Sequence, residues 1–138
     1  MGANADLFRQ KIEEAWNQGR AEALDELLAP DAVIRGLVTG DLVGLPAFKA
    51  FYTLFRAAFY DIDLSVERTI EEGDLVSLWC RAAGVHRETG KSVVFSGSIC
   101  GEFRDGKLQE GWNCWDFLGM LIQLGAVDAE AVGPLLGA

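Results

Sequence analysis

Histidine is almost absent from this chain: His86 stands alone among 138 residues, beside three cysteines and three prolines. That scarcity removes several chemistries. One histidine with Cys80, Cys100 and Cys114 far apart, and no CxxC or HExxH spacing, supplies neither a structural zinc site nor a metalloprotease centre. An odd number of dispersed cysteines gives no disulfide framework, so they are expected as reduced core residues. No serine has a plausible base partner. Positive charge is scarce as well, with 12 Lys and Arg against 21 Asp and Glu and a net charge of −9. Nucleic acid and anionic membrane surfaces, which select clustered cations, are therefore not expected partners. No apolar run reaches the length of a membrane span. A charged stretch leading into an apolar core, as in a secretory leader, is missing too, and the expected location is the cytoplasm. Gly40-Asp41-Leu42-Val43-Gly44 lacks the lysine and spacing of a phosphate loop and reads as a turn.

What is present is apolar. Half of the residues are hydrophobic, enough for one packed core and one domain over residues 1–138, with no room for a separate cofactor-binding domain. No metal or cofactor is expected. Leu7, Phe8, Ile12, Ala15 and Trp16 fall near helical spacing between Asp6 and Gln18, with Gly19 as the stop. A short helix from Ala21 to Leu28 ends before Pro30, and a strand is expected over Asp31 to Val38. From Leu45 to Phe59, Phe48, Phe51, Tyr52, Phe55 and Phe59 recur at i, i+3, i+4, i+7 and i+11, predicting a helix with an aromatic stripe. The period then changes to two. Strands are expected from Ile62, over Leu75 to His86, Ser92 to Arg104 and Lys107 to Trp115, with Asp105-Gly106 as a strong hairpin signal. Helices first and a meander last give an α+β class: N-terminal helices covering a cone-shaped, curved antiparallel sheet. Gly84, Gly97, Gly101 and Gly111 inside strands permit the bending. The hollow under such helices is a small-molecule site, and the aromatic stripe is either plain core or its wall.

Asp116 is the most informative polar residue. Strict alternation along the last strand puts Leu108, Glu110, Trp112, Cys114 and Asp116 on one face, so the carboxylate shares the side of Trp112 and Cys114. In a poorly solvated hollow it would be a better proton acceptor near neutral pH than an exposed Asp. A second reading stays open: Phe117 to Leu124 has helical character, and Asp116 at its N-cap would accept backbone N–H bonds. His86 is the side chain suited to share proton transfer with Asp116, or else a solvated hairpin residue. Trp79 and Arg81 on the same strand, with Trp112, are further candidates for the substrate wall. Arg35 or Arg81 would steady an anionic oxygen if turned inward.

The combination Ala15-Trp16-Asn17-Gln18-Gly19, Ala29-Pro30-Asp31, Gly44 to Phe48, Glu72-Gly73-Asp74-Leu75-Val76, Gly84-Val85-His86, Asp105-Gly106-Lys107 and Trp115-Asp116-Phe117 with Gln123-Leu124-Gly125 resembles the SnoaL-like polyketide cyclases over nearly the whole chain. That family lies in the nuclear-transport-factor-2-like superfamily of α+β barrels, consistent with the architecture above. The resemblance implies Asp116 as the catalytic acid/base, Trp16 as an aromatic lining the substrate cavity, and Phe51 as a pocket residue, with Phe55 beside them on the same stripe. It implies a cofactor-free intramolecular aldol cyclisation or isomerisation of a hydrophobic, polyketide-like carbonyl compound, and a homo-oligomer, dimer or tetramer, built on the open sheet face. The sequence departs from the family pattern at Ile34, where a polar amide is usual, and near Ile99, where one cyclase has a histidine. Two other functions remain in view: epoxide hydrolysis, which needs a second carboxylate and an arginine such as Arg81 beside Asp116, and a non-catalytic small-molecule-binding module.

Overall fold

The computed structural model describes residues 2–137. Helix α1 (Ala3–Asn17) turns Ala5, Phe8, Ile12 and Ala15 into the core. Gly19, at φ 68°, breaks it in a left-handed conformation open to glycine. Helix α2 (Glu22–Leu27) buries Ala23, Leu24 and Leu27 and runs straight into strand β1 (Leu28–Val38), which begins earlier than the sequence predicts. The Gly40–Val43 segment, expected as a turn, forms a short strand β2 that folds back antiparallel on β1. Helix α3 (Leu45–Ala58) carries the aromatic stripe, with Pro46 in its first turn where its missing N–H costs nothing. Strands β3 (Phe59–Glu72), β4 (Leu75–His86), β5 (Ser92–Arg104) and β6 (Lys107–Trp115) follow as the expected meander. Helices α4 (Phe117–Gln123) and α5 (Ala129–Val132) and a 3-10 turn (Gly133–Leu136) end the described chain.

The strands form one curved, open sheet of six in the order β2-β1-β6-β5-β4-β3. It is mixed: β1 runs parallel to β6 while the other neighbours are antiparallel. The helices lie on one face, and Phe8, Leu24, Leu27, Leu78, Val76 and Val93 are the most deeply buried large side chains.

Two details position the site. The last turn of α1 leaves carbonyls that no helical N–H reaches, and α3 answers them from one turn to the next. The Tyr52 hydroxyl donates to the Ala15 carbonyl at 2.6 Å, and Arg56 Nη1 donates to the Trp16 carbonyl at 2.5 Å. Asn17 then docks on β3 as a strand would, Nδ2 donating to the Leu64 carbonyl at 2.9 Å and Oδ1 accepting from the Leu64 N–H at 2.6 Å. Trp16, between these anchors, is held edge-on to Tyr52 and Phe55, at ring-centre distances of 4.9 and 5.5 Å.

The second detail is a bulge in β6. Phe103 pairs with Leu108 but Glu102 pairs with Glu110, so Gln109 is an extra residue. Leu108 faces the core, and after the bulge Gly111, Asn113 and Trp115 do, whereas Trp112, Cys114 and Asp116 are exposed. The one face expected to be shared by Leu108, Glu110, Trp112, Cys114 and Asp116 is thereby corrected, because one inserted residue inverts the alternation of everything beyond it.

Candidate functional site

Between the helices and the sheet lies a cavity of about 90 Å³. Trp16, Phe51 and Phe55 wall it from the helices, Ile34, Phe95, Ile99 and Trp115 from the sheet, and Phe117 from α4. The aromatic stripe is thus both core and wall: Phe48 is buried while Phe51 and Phe55 are half-buried at its edge. Ile34 and Ile99, where the sequence departs from the family pattern, both line it. Such a lining keeps a cavity dry and receptive to apolar guests.

Among the described lining residues no side chain is ionisable, and apart from the indole N–H groups of Trp16 and Trp115 the polar one is Asn113. Its Nδ2 donates to the Arg35 carbonyl at 3.2 Å, and its Oδ1 accepts from Trp115 Nε1 at 3.1 Å. Sequence reasoning passes over Asn113, Trp115 and Phe117 because unbroken alternation assigns that side of β6 to solvent; the extra residue at Gln109 carries no glycine or proline to announce it.

Asp116 is exposed and caps α4, its Oδ1 accepting the Gly119 N–H at 2.9 Å. Of the two readings open in the sequence, the geometry is that of the cap. Even so, it stands between Trp115 and Phe117, both in the cavity wall. His86 lies outside the lining, its Nδ1 2.9 Å from the Thr89 hydroxyl and its ring 5.2 Å from that of Phe59. Trp79 and Arg81 point to the opposite sheet face, with Trp79 48 % exposed. Trp112 also faces outward, under the Arg35 guanidinium at 5.5 Å. Trp16, Phe51 and Phe55 are therefore brought together at the cavity, while Asp116, His86, Trp79, Arg81 and Trp112 are not. Strand phase accounts for Trp79, Arg81 and Trp112 and, beyond the bulge, for Asp116, while His86 is half-buried against Phe59 at the end of β4, beside the turn at residues 87–89. Among the described residues Arg81 is in no ion pair and lies outside the cavity lining, on the opposite face from the site.

Cys80 is fully buried, and burial pushes its thiol up to about 12; of the three cysteines expected in the core it alone is there, Cys100 being half-buried and Cys114 exposed. Among the described residues no group of three or more His, Cys, Asp or Glu side chains could hold a metal ion, and no helix is long and apolar enough to cross a membrane.

The model of the SnoaL-like polyketide cyclases matches residues 6–124. The chain belongs to that family. No curated protein sequence matches it. Among solved structures, IdmH of Streptomyces antibioticus, described as a candidate polyketide cyclase, is 29 % identical, with a TM-score of 0.79 over 90 % of this chain and 99 % of that one. A candidate polyketide cyclase of Acidithiobacillus ferrooxidans is 25 % identical, with a TM-score of 0.77 over 91 % and 97 %. TsrD of Streptomyces laurentii, 20 % identical over 92 % and 98 %, shares the fold with a TM-score of 0.83. The same fold is described as ketosteroid isomerase-like in a Catenulispora acidiphila protein 14 % identical to this one, with a TM-score of 0.76 over 84 % and 90 %.

Proposed function

We propose that this SnoaL-like protein is a cofactor-independent cyclase- or isomerase-type protein whose cavity binds a neutral, hydrophobic carbonyl compound and holds it folded for ring closure. The observation that carries the reading is the cavity wall: rings and aliphatic side chains almost throughout, with no ionisable group and the Asn113 amide as its polar side chain beside two indoles. A flexible chain of carbonyls confined between Trp16, Phe55 and Trp115 loses the freedom that otherwise opposes intramolecular attack, and such positioning alone contributes several kcal/mol to a barrier, up to about 7–11 in well-oriented cases. Water is kept from the reacting carbons by the same rings. The direct test is saturable one-to-one binding of a neutral single-ring ketone, followed by quenching of tryptophan fluorescence, in wild type and in Ala82→Leu. Ala82 lines the cavity, and a larger side chain there fills it. Binding that survives this change in a folded variant refutes the site.

A second reading adds proton transfer by Asp116. It is supported by the family resemblance and by the carboxylate's place between two wall residues, Trp115 and Phe117. From there it would serve a substrate that reaches past Phe117 to the rim, drawing a proton from an acidic C–H and returning one to the new alkoxide. Asp116→Asn keeps an oxygen for the Gly119 N–H and removes the base. With a turned-over substrate, a drop in kcat of about 10²–10⁴-fold at unchanged binding is expected; unchanged kcat leaves confinement as the whole of the catalysis. His86, lying outside the wall, has no step in either reading.

The reading also includes a homo-oligomer through the outer sheet face, where Trp79 is 48 % and Trp112 39 % exposed. Sedimentation of wild type against Trp79→Ser checks it: a monomeric wild type removes it.

A further inference from the structure

The Asn113 amide is held on both sides by partners that leave it no choice of orientation. An indole N–H is a donor only and a backbone carbonyl an acceptor only. Trp115 Nε1 on Oδ1 and the Arg35 carbonyl on Nδ2 therefore fix which end of the amide is oxygen and which is nitrogen. The lock is itself packed in place. The indole of Trp115 lies so closely over Gly97 that a Cβ there would collide with it, and it meets Phe95 edge-on at 5.7 Å. On the other strand Gly36, at φ 88°, lets β1 approach so near that a Cβ would strike the backbone carbonyl oxygen of Asn113. After these bonds are made, one N–H and one lone pair of the amide remain, at a wall that is otherwise apolar.

We propose that Asn113 is the specificity-determining residue of the cavity: its remaining N–H binds a single neutral carbonyl or hydroxyl oxygen of the ligand, so the cavity selects an uncharged oxygenated ligand over its hydrocarbon and over its carboxylate. This rests on the reading of the cavity as the ligand site. An oxygen placed against the aliphatic and phenyl side chains of the wall would lose its water without gaining a partner, and an ionised carboxylate would meet neutral donors and no cation. Burial of the ligand's rings supplies affinity, and the amide sets which end goes in first.

Three single-ring probes of nearly one shape separate these effects: acetophenone, ethylbenzene and benzoate, each titrated by isothermal calorimetry. Wild type is expected to bind the ketone about 3- to 10-fold tighter than the hydrocarbon, and the carboxylate weakest of the three. Asn113→Leu is expected to bring ketone and hydrocarbon to equal affinity while the hydrocarbon still binds. Trp115→Phe keeps a ring in the wall but removes the N–H that holds Oδ1. It is expected to reduce the ketone preference while leaving hydrocarbon binding within about 3-fold, a split that a merely structural role would not give. Equal binding of ketone and hydrocarbon by wild type, tight binding of benzoate, or a ketone preference that persists in folded Asn113→Leu overturns this inference alone. Failure of wild type to bind any of the three overturns the cavity reading and this inference with it.

Discussion

Replacing Tyr52 by phenylalanine removes one oxygen atom and isolates the joint between α1 and α3. Tyr52 is 5 % exposed and Ala15 is fully buried, so the Ala15 carbonyl that accepts the hydroxyl at 2.6 Å has no water to turn to. Burial also raises the phenol above its ordinary pKa, so it stays a protonated donor at neutral pH. The phenyl ring left in its place would keep the edge-on contact with Trp16, whose centre lies 4.9 Å away, and no large void opens. What remains is a buried acceptor without a donor, a loss of about 1–3 kcal/mol. For a chain of this size that is a fall in Tm of roughly 3–10 °C. Urea unfolding should show the midpoint moving at constant m-value. Tyr60→Phe is the control: Tyr60 is 40 % exposed, and its change should stay within about 0.5 kcal/mol. If Tyr52→Phe proves as stable as wild type within about 0.3 kcal/mol, the view that α3 completes the end of α1 is refuted.

Gly97→Ala forces the Trp115 indole off its seat and should cost about 1–3 kcal/mol, with a shift in tryptophan emission as the ring moves. Asp116→Ala should lose about 0.5–2 kcal/mol through the missing cap of α4 and Asp116→Asn much less, as chemical denaturation would show; equal losses would deny the carboxylate its capping role. Glu26 is held down to about 2 from 4.5, first by its hydrogen bond from Arg20 and then by that from Lys11. A depressed carboxyl gives stability that is complete above the unfolded value and is lost as pH falls through the folded one. Glu26→Gln should therefore flatten the fall in urea midpoint between about pH 4.5 and 2, and an unaltered acid limb would count against the Lys11–Glu26–Arg20 cluster.

The helices and the meander were legible because their signals are local. Phe48, Phe51 and Phe55 recur at helical spacing, and Asp105-Gly106 permits little but a tight turn; Asp105 takes φ 53° and Gly106 φ 77° there. The parallel pairing of Arg35 with Trp112 was not legible, since nothing near either residue refers to the other. Nor was the inward turn of Asn113 and Trp115. The run from Leu108 to Trp115 places apolar residues in both phases, and only the unpaired Gln109 decides between them. One register slip moved Asp116 from the imagined floor of the cavity to its outside and put a neutral amide in the wall. Trp16, which the family resemblance singles out, lies in the cavity wall, and its anchors, Tyr52 and Arg56, sit on α3, whose aromatic spacing says nothing of α1.

The parallel seam between β1 and β6 has a temporal side. Leu28 leaves the ribosome long before its partner Leu108 exists, and at about 5–20 residues per second synthesis takes on the order of several seconds to supply it. During that wait β1 has only the four-residue β2 along one edge, and the nascent chain exposes an unmatched row of amides beside Leu28, Ala32 and Ile34. The exposed Asp31 and Asp41 and the half-buried Arg35 put charge along that row, where it discourages pairing between neighbouring nascent chains until the final strand arrives.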